Sequence, residues 1–252
     1  MPDLICCEFQ KLRRKKFIRL TLLAAVLFPS PLTILMARDG ESFGMLFRSV
    51  VAFGDLLFLP CILGIITAML FFMERDNDTL KNLLVIPEPK SKILMAKLCV
   101  LLALSVLYSV AELGVTIIGG IFTGSVEGIF PRLLVSVGLG VFVLLATLPV
   151  IAVIIAGNKS YIFSIILSFV YAIIGFLVSW SLGTGTGLLH TLSNILPMPI
   201  VFRWYLGALP LENDLAYMLP YALSTPAAGM LLAVVGCGFS ALAVFFYQRT
   251  EG

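Results

Sequence analysis

Six long apolar runs dominate the chain, at 17–37, 49–73, 93–122, 133–156, 161–182 and 225–247. Each is long enough to cross a hydrocarbon core, which takes about 20 residues of helix. None alternates with period two between regularly spaced turns, so a β-barrel is not expected. A helix satisfies every backbone N–H and C=O within its own segment, as lipid requires. The pattern therefore predicts an all-α integral membrane protein with six transmembrane helices in a single domain over 1–252. The first run resembles a signal peptide, with a basic start and small residues near Met36 and Ala37. Its length, with Pro29 and Pro31 inside it, predicts an uncleaved, kinked helix instead.

The segments between the runs are patterned too. Ile5, Phe9 and Leu12 recur at helical spacing ahead of a basic cluster. That suits a helix lying in the membrane interface, or an ordinary positive anchor. Asn77 or Asp78 can cap a short helix on which Leu80, Leu83 and Leu84 share a face, and Pro87 and Pro89 would stop it. Such a helix can dock in a partner's groove or pack on its own spans. The turn at 157–160 is too short to allow anything but antiparallel neighbours. Residues 183–224 are apolar but broken by Gly183, Gly185, Gly187, Pro197, Pro199, Pro210 and Pro220, which predicts short re-entrant or interfacial helices. Trp180, Trp204 and Tyr205 are expected as interfacial anchors.

Composition sharpens this reading. With 60% apolar and 12% charged residues, the chain cannot hide its apolar surface as a soluble domain would. Its net charge of +3 points to no nucleic-acid partner. Thirteen of the 17 Lys and Arg lie in the N-terminal segment, 74–97, the 157–160 turn and the C-terminal end. Arg38, Arg48, Arg132 and Arg203 lie on the other side. The positive-inside rule then predicts a plasma-membrane protein with both termini cytoplasmic. No cysteine falls in an outer loop, so no disulfide is expected.

Little in the sequence carries bond-making chemistry. His190 is the only histidine, no CxxC spacing occurs, and no phosphate-binding loop ends in lysine. No catalytic residue, metal site or resident cofactor is expected. Gly120 with Gly124, and Gly236 with Gly238, permit close helix packing. Asp55 and Glu112 stand out, because each is a carboxyl inside an apolar span. Such groups are costly and mark substrate or ion paths, unless a neighbouring hydroxyl satisfies them. Tyr108 and Thr116, one turn either side of Glu112, are the candidate neighbours.

This layout resembles the membrane subunits of ABC-2-type ABC transporters, most closely the small permeases of lantibiotic-immunity and bacitracin-resistance transporters. The likeness spans the chain as topology: basic amphipathic start, six spans, a loop after the second, a broken apolar segment before the last. Locally it rests on Glu74-Arg75, then Thr79-Leu80-Lys81-Asn82-Leu83-Leu84, Pro87, and Lys92 to Lys97. The resemblance implies that the 74–92 loop is a coupling helix seated on a separate ATPase dimer, which binds ATP and Mg. Glu74, Arg75, Asp76, Thr79, Leu80, Lys81 and Leu83 are then the coupling residues. The 157–160 turn takes the place of a second cytoplasmic contact, shortened here. A second permease, identical or homologous, and a peptide or lipid-like substrate are further implications. Asp55 and Glu112 would suit a cationic substrate, although the family supplies no motif at either position. A self-contained secondary transporter and a non-transporting scaffold or sensor share the topology. The first is disfavoured because residues 1–125 and 126–252 show no convincing repeat.

Overall fold

The computed structural model of the chain describes residues 2–13, 20, 23, 24, 27, 29–76, 89–124, 126–157, 160–182, 187–210 and 213–250. Among the described residues there is helix and no strand. Helices α1 (Pro2–Arg13) and α2 (Pro29–Arg38) come first. Next, α3 (Phe43–Val50), a π-helical stretch (Val51–Phe58) and α4 (Leu59–Asp76) form one continuous rod. Then follow α5 (Lys90–Thr123), α6 (Ile129–Ala156) and α7 (Tyr161–Trp180). The broken segment holds α8 (Leu188–Ile195), α9 (Pro197–Ala208) and a 3-10 stretch (Asn213–Tyr221), and α10 (Thr225–Thr250) closes the chain.

Five of the described segments are long and apolar enough to cross a membrane: Phe43–Phe72, Lys90–Thr123, Ile129–Ala156, Tyr161–Trp180 and Thr225–Arg249. The protein is thus an all-α membrane protein. The run at 17–37 is described only in part, and α2 is its last portion.

Local chemistry explains where these helices begin. The Ser42 hydroxyl accepts the Met45 N–H at 3.1 Å and caps α3. The helix therefore starts well before the apolar run at 49, and Arg48 lies within it rather than in a loop. Ser160 caps α7 in the same way, accepting the Phe163 N–H at 3.4 Å. In α9, Pro197 and Pro199 occupy the first turn, where no N–H is needed.

The π turn has a cause in Pro60. A proline inside a helix has no N–H to donate, and its ring crowds the carbonyl one turn back. The ladder widens ahead of it, and the Leu59 N–H reaches back to the Gly54 carbonyl. The helix expected over 49–73 is thus continuous, with its first part wound as a π-helix.

Helix α6 is the hub, packing on α5, α10, α4 and α9. Leu101, Leu139, Val143 and Ile151 are fully buried in the shared core. The α5–α6 pair is close enough for the Ser105 hydroxyl to donate to the Gly140 carbonyl at 2.6 Å. A Cβ at position 140 would lie 2.6 Å from the Val106 Cα, so only glycine permits that approach. Most buried hydroxyls donate one turn back: Thr67 to Leu63, Thr147 to Val143, Ser168 to Ser164 and Ser179 to Gly175. This settles a polar group in an apolar span at little cost. At the periphery, α10 exposes Met230, Leu231, Val234 and Phe245, and α7 exposes Ile162, Ile166 and Leu177. These are surfaces a bilayer covers.

Helix α9 runs through the interior, packing on α6, α7 and α10. Trp204 and Tyr205, expected as interfacial anchors, are buried. The Trp204 indole donates to the Thr225 hydroxyl at 3.1 Å and stacks edge-on against Phe142. Arg203 fastens the surrounding segment, with Nε donating to the Tyr221 carbonyl and Nη1 to Asn194 Oδ1. With the indole N–H satisfied, burying the Trp204 ring gains more than anchoring it at headgroups.

Candidate functional site

The two intramembrane carboxyls come together. Asp55 sits in the π turn and Glu112 in α5, and each residue is 1% exposed. Position 54 has no side chain, and a Cβ there would collide with both carboxyl oxygens of Glu112. Gly54 thus makes room for Glu112 directly beside Asp55. The Ser109 hydroxyl faces Asp55 and the Tyr108 hydroxyl faces Glu112. Neither hydroxyl closes a hydrogen bond of ordinary geometry, and Asp55 Oδ1 and both Glu112 carboxyl oxygens also lack one. Thr116 does not supply it, because its hydroxyl donates to the main-chain carbonyl of Glu112 at 3.0 Å. Ser136 carries another unsatisfied buried hydroxyl. The Ser105–Gly140 bond sets the antiparallel register of α5 and α6, which brings Ser136 to the level of Ser109.

This cluster contrasts with the back-bonded hydroxyls elsewhere. Four polar side chains from the π turn and α5, Asp55, Tyr108, Ser109 and Glu112, face one another in the interior without a hydrogen bond of ordinary geometry. Buried polar groups in folded proteins are nearly always paired. Carboxyls in a membrane interior are costly, which makes this pair the candidate site of the bundle. The π turn is a feature that often accompanies such sites. Asp55 and Glu112 were legible in the sequence, whereas their meeting, and the parts of Ser109 and Ser136, were not.

The expected coupling residues divide in two. Glu74, Arg75 and Asp76 lie on the last turn of α4. Thr79, Leu80, Lys81 and Leu83 lie outside the described residues.

Beneath that end of α4 is an ion-pair node the sequence reading missed. Lys97 in α5 is 1% exposed, and its ammonium lies 3.2 Å from Glu8 Oε2 of α1. Lys11 reaches the other Glu8 oxygen at 2.5 Å. The Lys97 ammonium also stands over the Phe71 ring at 5.4 Å, and Phe71 packs edge-on against Tyr247 of α10. One buried cation therefore joins α1, α4, α5 and, through Phe71, α10. Burial alone would raise the Glu8 carboxyl, but Lys97 and then Lys11 outweigh it and hold it below the usual glutamate value. The available signal was position: Lys97 lies well inside a helix between Ala96 and Leu98, where a lysine needs a partner.

These helices and their shared interior define a multi-pass α-helical membrane protein with a polar site between its spans. Residues 4–175 match the family described as ABC-2 family transporter protein, and the chain belongs to that family. It is accordingly a permease, the membrane component of an ABC transporter, and not itself an enzyme. Members of this family generally work with an ABC ATPase partner. No curated protein matches the chain.

Proposed function

We propose that this chain is the membrane-spanning subunit of an ABC exporter that expels a hydrophobic or cationic substrate, an antimicrobial peptide, in self-immunity or resistance. The observation that carries the reading is the family match over residues 4–175, which takes in the basic start, α1 to α6 and the loop after α4. A separate ATPase dimer, binding ATP and Mg, drives transport from the 74–92 loop, with Glu74, Arg75, Asp76, Thr79, Leu80, Lys81 and Leu83 as coupling residues. Two permeases, identical or homologous, make one transporter in the plasma membrane, with both termini cytoplasmic.

The node at Lys97 supports this assignment. It ties the end of α4 that feeds the loop to α1 and α5, so motion imposed on the loop reaches several spans together. The Asp55–Glu112 cluster is the counter-charge for a cationic substrate. It is closed here, and a substrate meets it when α5 moves away from the π turn.

Purification of the chain from its native membrane in mild detergent tests the assignment. A stoichiometric soluble ATPase, lost when Leu80 and Leu83 are replaced by glutamate, is the expected result. A chain that purifies alone in several detergents overturns it. For the substrate, Asp55→Asn with Glu112→Gln should weaken peptide resistance while leaving the assembly intact. Unchanged resistance would remove the carboxyls from the substrate path.

A further inference from the structure

Asp55 and Glu112 are buried side by side, and no positive charge answers them. Neither carboxyl has an ion pair, and Asp55 Oδ1 and both Glu112 oxygens lack a hydrogen bond. The Tyr108 and Ser109 residues are 2% and 1% exposed, and their unpaired hydroxyls face Glu112 and Asp55. Helices α3, α4, α5, α6 and α7 pack around the π turn. Tyr108 of α5 faces the pair, with Cys61 of α4 beside it, and neither brings a positive charge. Arg48 of α3 lies seven residues before Asp55, and Arg132 of α6 is stacked on Phe43. On α7, Tyr171 is turned to the Ala146 carbonyl and Tyr161 to Phe72. Lys97, with Glu8 and with Tyr247 beyond Phe71, is fifteen residues along α5 from Glu112. Arg38 of α2 lines a cavity with Phe122, ten residues the other way. None of these groups pairs with either carboxyl.

Two negative charges held together away from water repel strongly, and neither is hydrated. A bound cation relieves that repulsion. No group of three or more His, Cys, Asp or Glu that could hold a metal ion occurs among the described residues. A proton needs neither a ligand shell nor space, and carboxyls that face one another share one.

We propose that Asp55 and Glu112 form a proton-binding site, in which the closed bundle holds one proton between the two carboxyls while Ser109 and Tyr108 donate to their remaining oxygens. When α5 moves away from the π turn, the carboxyl O–H bond breaks and the proton goes to entering water as hydronium. The negative charge left on the pair is then available to a cationic substrate, so that one positive charge replaces another. The proton site stands without the transport reading above, and only what replaces the proton rests on it.

Infrared spectroscopy of the full chain, with any subunit that co-purifies, tests the site at neutral pH in detergent. Wild type should show the C=O stretch of a protonated carboxyl, shifted in heavy water. D55N with E112Q should lose that band, because exposed carboxyls are ionised at this pH. The single variants D55N and E112Q should each alter it, which covers the case in which the double variant does not fold. A wild type without the band, or variants that keep it unchanged, would overturn the proposal. Proton release is then followed with a pH dye in weak buffer, on adding pentalysine and ATP. Wild type should acidify the medium and the double variant should not. A band without any release would remove the exchange, and with it the substrate role of the pair, while the proton site itself stands.

Discussion

Glu8 and Lys97 meet at 3.2 Å with both side chains almost wholly buried, across the junction between the N-terminal helix and the first turns of α5. The pair fastens α1 to the bundle. Removing one partner of a buried ion pair leaves the other uncompensated, at a cost on the order of 3 kcal/mol. Glu8→Gln should therefore lower the thermal unfolding temperature of the purified chain and make α1 accessible to protease. Lys97→Met, which removes the buried charge itself, should be milder. Equal effects of both changes would show that shape, not charge, holds the helix.

The same pair sets a pH dependence. The Glu8 carboxyl is held below its ordinary value, so its contribution is present above the unfolded value, about 4.3, and is lost as pH falls through the lowered folded one. The protection of α1 amides, relative to their intrinsic exchange at the same pH, should be high at neutral pH and fall only under strongly acidic conditions. Glu8→Gln should abolish that acid step. An unaltered step in the variant would place the titration elsewhere.

Gly54 holds open the space in which Glu112 stands. Gly54→Ala puts a methyl where the carboxyl oxygens are, and the carboxyl must swing away from Asp55. Overfilling a packed site costs about 1–3 kcal/mol. The variant should insert and assemble, melt at a lower temperature, and lose transport to an extent similar to Glu112→Gln. Full transport with Glu112 displaced would sever the carboxyl pair from function.

Two further glycines should respond in opposite ways. At Gly140 an added Cβ meets the Val106 backbone, which cannot turn aside. At Gly238 nothing lies within 4 Å. Gly140→Ala should destabilise by about 1–3 kcal/mol, by parting α5 from α6. Gly238→Ala should leave stability unchanged or raise it by up to about 1 kcal/mol through helix propensity. Thermal melts of the two variants in one detergent decide the comparison.

Much of the architecture was readable from one-dimensional pattern, because lipid admits so few backbone solutions. Long apolar runs must be helices, and the five that can be described as spans are. Asp55 and Glu112 were identifiable for a related reason: a carboxyl in an apolar run is conspicuous. Arg48 was less so. It stands just outside the run at 49, and only the Ser42 cap, extending the helix backward, brings it inside. Trp204 and Tyr205 are buried rather than exposed, and for Trp204 the reason is visible: a ring suited to the interface packs equally well in a core once its polar tip has a partner.

What the sequence alone determined is the solvent of this protein, its helical class, and the residue types too polar for their surroundings. Each of these follows from free energies of transfer that depend on a residue and its near neighbours. Tertiary structure decided which of those residues meet. Asp55 finds Glu112 through a π turn forced by Pro60 and a gap left by Gly54, and Lys97 finds Glu8 across two helices. Those pairings depend on helix rotation and register, and a shift of one residue, about 100° around an axis, would dissolve each of them.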